Sequence, residues 1–309
     1  MSDSSAGTPP AGSVDAGPVH TGPVLAIDVG GTKLAAGIVG DDGALARAAR
    51  VDTPAGRDPE RLFAALLGLI ETVVGEVPGA GPAICGVGCG GPMENHGELV
   101  SPLNIPAWRR FPLRERLATE LGMPVHVDND AKALALGEGW CGAAQGAPDY
   151  LAIVVSTGVG GGIVLDGRLV DGGSGNAGHI GHVVVEPDGR VCECGGRGCL
   201  EAEASGSAIA AITGRPAAEA DGAMVERTGM LVGRGVAAAV SLLDLPLAVV
   251  AGSVALGFGA PFFATANAEL EARARLDFAR GARIVPAGLG GNGPLVGAAA
   301  VARHAFARA

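Results

Sequence analysis

The chain has 309 residues, 53 of them glycine, with 3% aromatic side chains and 32 acidic against 22 basic groups, for a formal charge of -10. That charge repels phosphate backbones and anionic lipid surfaces, which argues against nucleic-acid and membrane partners. No apolar run approaches the roughly 20 residues that span a bilayer, and no basic start followed by an apolar stretch signals export, so a cytoplasmic protein is expected.

Residues 1–23 are rich in Ser, Gly, Pro and Ala and bury too little apolar surface to offset the entropy of folding; a disordered tail is expected there. From 24 onward the pattern is strand, glycine turn, strand, over 24–29 and 34–39, with Asp41-Asp42-Gly43 turning into a third strand over 44–51. Leu, Ile and Val at helical spacing predict a helix over 59–77, and 84–88 returns to a short buried strand. Cys85 and Cys89 lie an even number of residues apart in that segment, which puts both on one face as buried thiols. An amphipathic helix over 113–121 is followed by a strand at 124–127 that runs into Asp128-Asn129-Asp130, and polar residues at a strand end mark a cleft. A second strand–glycine turn–strand unit begins at Tyr150, with strands over 151–155 and 163–165. Helices are predicted over 204–212, 231–243 and 261–273 and from about 295, with strands at 248–250 and 283–285. This alternation implies an α/β protein whose two halves face a cleft.

Three segments carry chemistry. In Asp28-Val29-Gly30-Gly31-Thr32-Lys33 the glycines let backbone N–H groups approach an anion, and Thr32 and Lys33 add a hydroxyl and a charge; an ordinary hairpin opened by Asp28 is the plainer reading. Ser156-Thr157-Gly158-Val159-Gly160-Gly161-Gly162 is a second such turn, and the pair could hold the phosphates and magnesium of ATP. Asp130 offers the carboxylate that phosphoryl transfer to a hydroxyl needs as a base, while a helix cap before Ala131 is the alternative use of that polar cluster.

The remaining cysteines are uneven: Cys141 lies apart, and Cys192, Cys194 and Cys199 crowd into one loop with His182 upstream. The spacing H-x9-C-x-C-x4-C is that of a tetrahedral zinc set with no open position, structural rather than catalytic; a metal-free reduced cluster is the alternative.

The two glycine turns, the Asn129-Asp130 pair, Gly178-His179-Ile180-Gly181-His182, Cys192-Glu193-Cys194-Gly195 and Gly198-Cys199-Leu200-Glu201 together resemble the ROK family, which contains bacterial glucokinases, related sugar kinases and sugar-responsive repressors. The resemblance covers nearly everything from Val24 onward. It implies an actin-like ATPase (ribonuclease H-like) fold with two α/β domains flanking a cleft. The smaller would be residues 24–130, joined by the closing helix 295–309, and the larger 131–294. By motif, Asp28, Gly30, Gly31, Thr32, Lys33, Thr157, Gly158, Gly160 and Gly161 would bind the phosphates of Mg-ATP. Asp130 would be the base on the sugar 6-hydroxyl, and Asn129, His179, His182 and Glu201 would contact the sugar; Asn104, in Leu103-Asn104-Ile105-Pro106, resembles a family segment near the sugar, with a turn-capping asparagine as an equal reading. His182, Cys192, Cys194 and Cys199 would hold structural zinc.

Some positions depart from the family pattern. His179 stands where a glutamate more often binds the sugar, so one acceptor replaces two oxygens. Gly90 replaces a proline, and Ala251-Gly252-Ser253-Val254 replaces a more glycine-rich run near the adenosine. The expected activity is that of an ATP-dependent hexose kinase, glucokinase first. Alternatives are a kinase for N-acetylglucosamine, N-acetylmannosamine or fructose, or a catalytically weak sugar-binding regulator. A DNA-binding repressor is disfavoured, since only about two dozen residues precede the first strand. By analogy with the family, a homodimer or homotetramer is expected.

Overall fold

The computed structural model describes residues 22–75 and 81–307; positions 1–21 of the expected tail, and the end of the helix predicted over 59–77, lie outside the described residues. In chain order the elements are β1 (Val24–Val29), β2 (Lys33–Val39), β3 (Leu45–Asp52), α1 (Pro59–Val74), β4 (Ile84–Cys89), β5 (Met93–Glu94), β6 (Leu99–Val100), α2 (Leu113–Leu121), β7 (Val125–Asn129) and α3 (Asp130–Cys141). There follow β8 (Tyr150–Val155), β9 (Val159–Leu165), β10 (Arg168–Leu169), α4 (Leu200–Ala204), α5 (Gly206–Thr213), α6 (Gly222–Leu243), β11 (Leu247–Ala251), α7 (Ser253–Arg273), β12 (Arg283–Pro286) and α8 (Gly293–Ala307).

Two five-stranded sheets repeat one plan, in the orders β3-β2-β1-β4-β7 and β10-β9-β8-β11-β12. In each, the strands of the opening hairpin pair antiparallel, and its first strand continues into parallel neighbours. Parallel strands put their carboxyl ends on one edge, and that edge of each sheet faces the cleft.

Helix α1 begins where Asp58 caps the N–H groups of Glu60 and Arg61, and its buried stripe of Leu62, Phe63, Leu66 and Ile70 covers one face of the first sheet. Trp108 stacks on Phe111 in the same core at 4.5 Å, with an interplanar angle of 3°. The other face takes α8, through Leu295, Ala298, Ala299 and Ala302 against Val24, Ala26 and Ile84. The second sheet is covered by α6 and α7 on one side and by α3 on the other.

Helices α3 and α8 run between the two sheets and cross at backbone distance. A Cβ at Gly297 would stand 2.6 Å from the Ala133 carbonyl oxygen, and one at Gly137 would stand 3.0 Å from Gly297. Likewise a Cβ at Gly86, in the middle of β4, would stand 1.9 Å from the carbonyl oxygen of Ala298 on α8.

Several elements are longer or more broken than the apolar pattern suggests. Helix α6 starts at Gly222, where the Asp221 carboxylate accepts from Met224 N–H, and its first turn packs only Met224 and Val225 on the core, too short a stretch to read as a stripe. Helix α7 starts at Ser253 and is interrupted at Gly259 (φ 62°), two residues before Pro261. The helix expected over 204–212 divides at Ser205, whose hydroxyl caps α5 by accepting from Ala208 N–H.

The close approach of α8 to β4 makes a clear prediction. Gly86→Ala should destabilise the fold by about 1–3 kcal/mol or more, since a backbone carbonyl must move. Gly68→Ala, at an open site inside α1 with nothing within 4 Å, should stabilise it by roughly 0.5–1 kcal/mol. Urea midpoints of the two variants check both signs.

Candidate active site

The site begins with strand register. Asp28 on β1 pairs with Gly88 on β4, and Gly88 pairs with Asp128 on β7, so the three positions form one row at the sheet's carboxyl edge. Asn129 closes β7 and caps α3, its side-chain oxygen accepting from Ala131 N–H at 3.0 Å, and Asp130 opens the helix and accepts from the same N–H at 2.8 Å. The capping reading of this cluster is met by Asn129, and Asp130 is presented to the cleft.

Gly88 leaves room between the two carboxylates. A Cβ there would sit 3.6 Å from Asp130 Cα and 3.9 Å from Asp28 Oδ1. Burial, and then the nearby Asp130 carboxylate, push Asp28 up to about 7. Asp130 is exposed on the cleft wall, and desolvation by the protein around it raises its carboxyl above the usual carboxylate range. Cys89 and Cys85 lie in the core behind this row, fully buried, and burial pushes both thiols up.

The first glycine turn is closed by Gly30 N–H donating to the Lys33 carbonyl at 3.0 Å. Thr53 braces it from β3's end, with its hydroxyl donating to the Gly30 carbonyl (2.7 Å) and its N–H to the Thr32 carbonyl (2.9 Å). The second turn is closed by Ser156 N–H on the Gly158 carbonyl at 2.9 Å. Gly206 N–H donates to Ser156 and Ser207 N–H to Thr157, which ties it to the start of α5, and Val159 N–H donates to Glu201 Oε2 at 2.8 Å.

Both turns line one cleft of about 1240 Å³. Asp28, Gly30, Gly31, Thr32, Lys33, Asn104, Asn129, Asp130, Thr157, Gly158, Gly160, Gly161, His179, His182 and Glu201 all face it, so tertiary structure gathers every residue singled out for phosphate or sugar. Lys33 and Arg190 are the two Lys or Arg side chains on its walls among the described residues. Arg190, Ser205, Ser207 and the Gly290–Pro294 segment also line it and were not legible as site residues, whereas Ser156 and Ser253 belong to runs already singled out. Isolated serines and a lone arginine carry no spacing signal, whereas the Gly290-Gly291 pair before a closing helix could have been read as a turn.

The turn glycines are constrained by protein neighbours rather than by ligand room alone. A Cβ at Gly30 would stand 2.8 Å from the Lys33 carbonyl oxygen, one at Gly31 2.8 Å from the Asn104 side chain, one at Gly158 2.7 Å from Glu201 Oε2, and one at Gly160 3.0 Å from Ala131 Cβ. The two turns are thus packed onto the residues expected to hold the sugar. Gly252, in the run that departs from the family pattern, keeps the indispensable glycine: its φ is 101°, and a Cβ would stand 2.2 Å from the Val155 carbonyl oxygen.

On the sugar side, His179 and His182 face each other with ring centroids 6.0 Å apart. Burial, then the neighbouring His182, hold His179 below the ordinary histidine value, so its ring is neutral at pH 7 and accepts one hydrogen bond. His182, Cys192, Cys194 and Cys199 offer ligand atoms that all lie within 4.8 Å of one another. Cys194 Sγ and Cys199 Sγ are 3.7 Å apart, and Cys192 Sγ is 3.7 Å from His182 Nδ1. The edge of a tetrahedron with metal–sulfur bonds of about 2.3 Å is about 3.8 Å, so the donor set and its spacing fit a closed tetrahedral ion. The loop is anchored by Glu203, 1% exposed, which accepts from Arg190 N–H and pairs with Arg227 at 2.5 Å.

The profile of the ROK family matches residues 24–305. The chain belongs to the ROK family. A glucokinase of Thermotoga maritima is 38% identical over 188 residues, 60% of this chain and 58% of that protein. An N-acetylmannosamine kinase of Citrobacter koseri is 38% identical over 252 residues, 76% of this chain and 84% of that one. Among solved structures, a ROK family glucokinase from Streptomyces griseus, in complex with glucose and AMPPNP, superposes with a TM-score of 0.80 at 30% identity, covering 91% of this chain and 99% of that one. The ROK hexokinase of Thermus thermophilus gives 0.75 at 34%, with 91% and 97% covered. The fold is the actin-like ATPase fold shared by these sugar kinases. Family and relatives support a sugar kinase and do not separate its substrates.

The raised Asp28 has a measurable consequence. The folded chain binds this proton more tightly than the unfolded chain does, so the group favours folding at low pH and that contribution is lost as pH rises through about 7. Without magnesium or nucleotide, Asp28→Asn should therefore be more stable than wild type at pH 8, by roughly 1–4 kcal/mol, and nearly equal at pH 4. Thermal melts at the two pH values decide it.

Proposed function

We propose that this chain transfers the γ-phosphoryl group of ATP to the 6-hydroxyl of a hexose, with glucose as the first acceptor. The observation that carries this reading is the enclosure of Asp130, both glycine turns and the side chains Asn104, Asn129, His179, His182 and Glu201 in one cleft. Asp130 accepts the proton of the attacking hydroxyl, and its raised affinity for a proton suits it to that task. N–H groups of the 30–33 and 157–161 turns bind phosphate oxygens, with Lys33 adding charge. Asp28 and the first turn would hold magnesium, which neutralises charge developing on the phosphates. Asn104, Asn129, His179 and Glu201 orient the ring. His182 directs Nδ1 to the cysteine cluster, leaving Nε2 for a sugar hydroxyl. The four-ligand cluster is assigned structural zinc, which would fix the His179–His182 segment at the cleft.

We assign residues 24–130 with the closing helix to the smaller lobe and 131–294 to the larger, a cytoplasmic location, and a homodimer or homotetramer on family analogy. Among the described residues no helix is long and apolar enough to cross a membrane.

A second reading, N-acetylmannosamine as acceptor, is favoured by the broader coverage of the N-acetylmannosamine kinase relative. A coupled ADP-release assay across glucose, mannose, fructose, N-acetylglucosamine and N-acetylmannosamine separates the two. Glucose is expected to give the highest kcat/KM. Preference for N-acetylmannosamine would replace the glucokinase reading, and ADP release with none of them would remove the kinase reading. On the preferred sugar, Asp130→Asn should lower kcat by about 10²-fold or more while sugar affinity stays within about tenfold. One zinc per chain is expected by elemental analysis of reduced, untagged protein. Cys194→Ser should lose that metal and lower the melting temperature.

A further inference from the structure

We propose that Asp171 and Asn176 are positioning residues for the bound sugar, acting through the segment 171–178 that delivers His179 to the cleft. The inference rests on the reading of this wall as the sugar site. Between β10 and the short 3-10 turn Ile180–His182 the chain has no regular structure, and it includes Gly172, Gly175 and Gly178 at φ of 74°, 85° and 99°. A segment so rich in glycine has little conformational preference of its own, so its path must be imposed by contacts.

Two sets of contacts impose it, one from α3 and one from β5. Lys132, 2% exposed and on α3 just beyond Asp130, donates to Asp171 Oδ1 at 2.9 Å and to the Gly175 carbonyl at 3.3 Å. The same ammonium pairs with Asp128 at 2.8 Å, so one buried charge joins the strand end that presents Asn129 and Asp130 to the segment that presents His179. Asn176 clasps β5 on the other lobe: its Oδ1 accepts from Met93 N–H at 3.2 Å and its Nδ2 donates to the Met93 carbonyl at 3.0 Å. Met93 closely follows Gly91, where a Cβ would lie 3.3 Å from Asn129 Nδ2 and 3.7 Å from the His179 ring. Asp171 and Asn176 thus bracket the segment and refer it to the base-bearing helix and to the sugar-side wall. Neither lines the cleft, so each acts on the sugar only through others.

Asp171→Ala leaves Lys132 paired with Asp128, so the buried ammonium keeps a counter-charge and the fold should survive. Steady-state kinetics of Asp171→Ala, Asn176→Ala and the double variant should show KM for the sugar rising about fivefold or more, further in the double, with KM for ATP within about twofold. Zinc content should be unchanged and the melting temperature only slightly lower. Asn176→Asp keeps the acceptor for Met93 N–H but loses the donor, and should fall between wild type and Asn176→Ala. Parallel changes in both KM values, or a double variant with an unaltered sugar KM, would overturn the proposal. Calorimetric titration of glucose and N-acetylmannosamine into wild type and double variant separates this from the underlying reading. A wild type that binds neither sugar removes both, whereas equal binding by the two proteins removes the positioning role alone.

Discussion

Two carboxylates held together without a fixed cation govern the architecture of the cleft. Asp28 on β1 and Asp130, at the start of α3 just beyond β7, lie on either side of β4, and Gly88 between them adds no bulk to keep them apart. Desolvation and the neighbouring charge make the ionised pair unfavourable, as the upward shift of Asp28 records. Such an arrangement is destabilising in isolation, and under the proposed reading it would receive a cation and a hydroxyl proton. The core beneath it absorbs the cost: β1 and β4 are buried almost throughout, with α1 on one face and α8 on the other.

Helix α3 is the element through which that pair is connected to the remainder of the molecule. Its first residue is Asp130, and Lys132 within its first turn ties it to Asp128 and Asp171. Gly137 and Ala133 lie at the crossing with α8. Near its end the fully buried Glu138 accepts from the N–H groups of Ala143, Gly288 and Leu289, fixing the approach to the Gly290–Pro294 wall of the cleft. The helix therefore carries the candidate base Asp130, the packing against α8 and the anchor of one margin of the cleft on a single rigid rod. That economy explains why so many of its residues are buried despite a weak apolar stripe: it is covered on several sides, so no single face repeats at helical spacing.

The zinc-type cluster and the second glycine turn are linked through Glu201. This residue follows Cys199 and Leu200 at the start of α4, and its carboxylate accepts from Val159 N–H in the turn. Order in the His-Cys loop therefore bears on the second glycine turn as well as on the His179–His182 wall of the cleft. His182, a ligand candidate on one ring nitrogen and a cleft residue on its face, makes the same connection from the other side.

The sequence by itself determined the repeated strand–turn–strand plan, the two glycine turns, the Asn129-Asp130 corner and the His-Cys loop. These are short-range features whose spacing follows from local backbone geometry, and each was legible without its neighbours. The family, too, was legible from those motifs. Thr53, Glu138, Lys132, Asp171 and Asn176 were not, because a single polar residue acquires a role only when folding brings a distant partner to it. The turn glycines show the difference most plainly. Their presence marked phosphate-type turns, but only tertiary structure revealed that the room they leave is filled by Asn104, Glu201 and Ala131. The breaks at Ser205 and Gly259 and the early start of α6 were decided by capping and chain direction, where the apolar pattern is silent. Long-range packing selected among the conformations that local spacing left open.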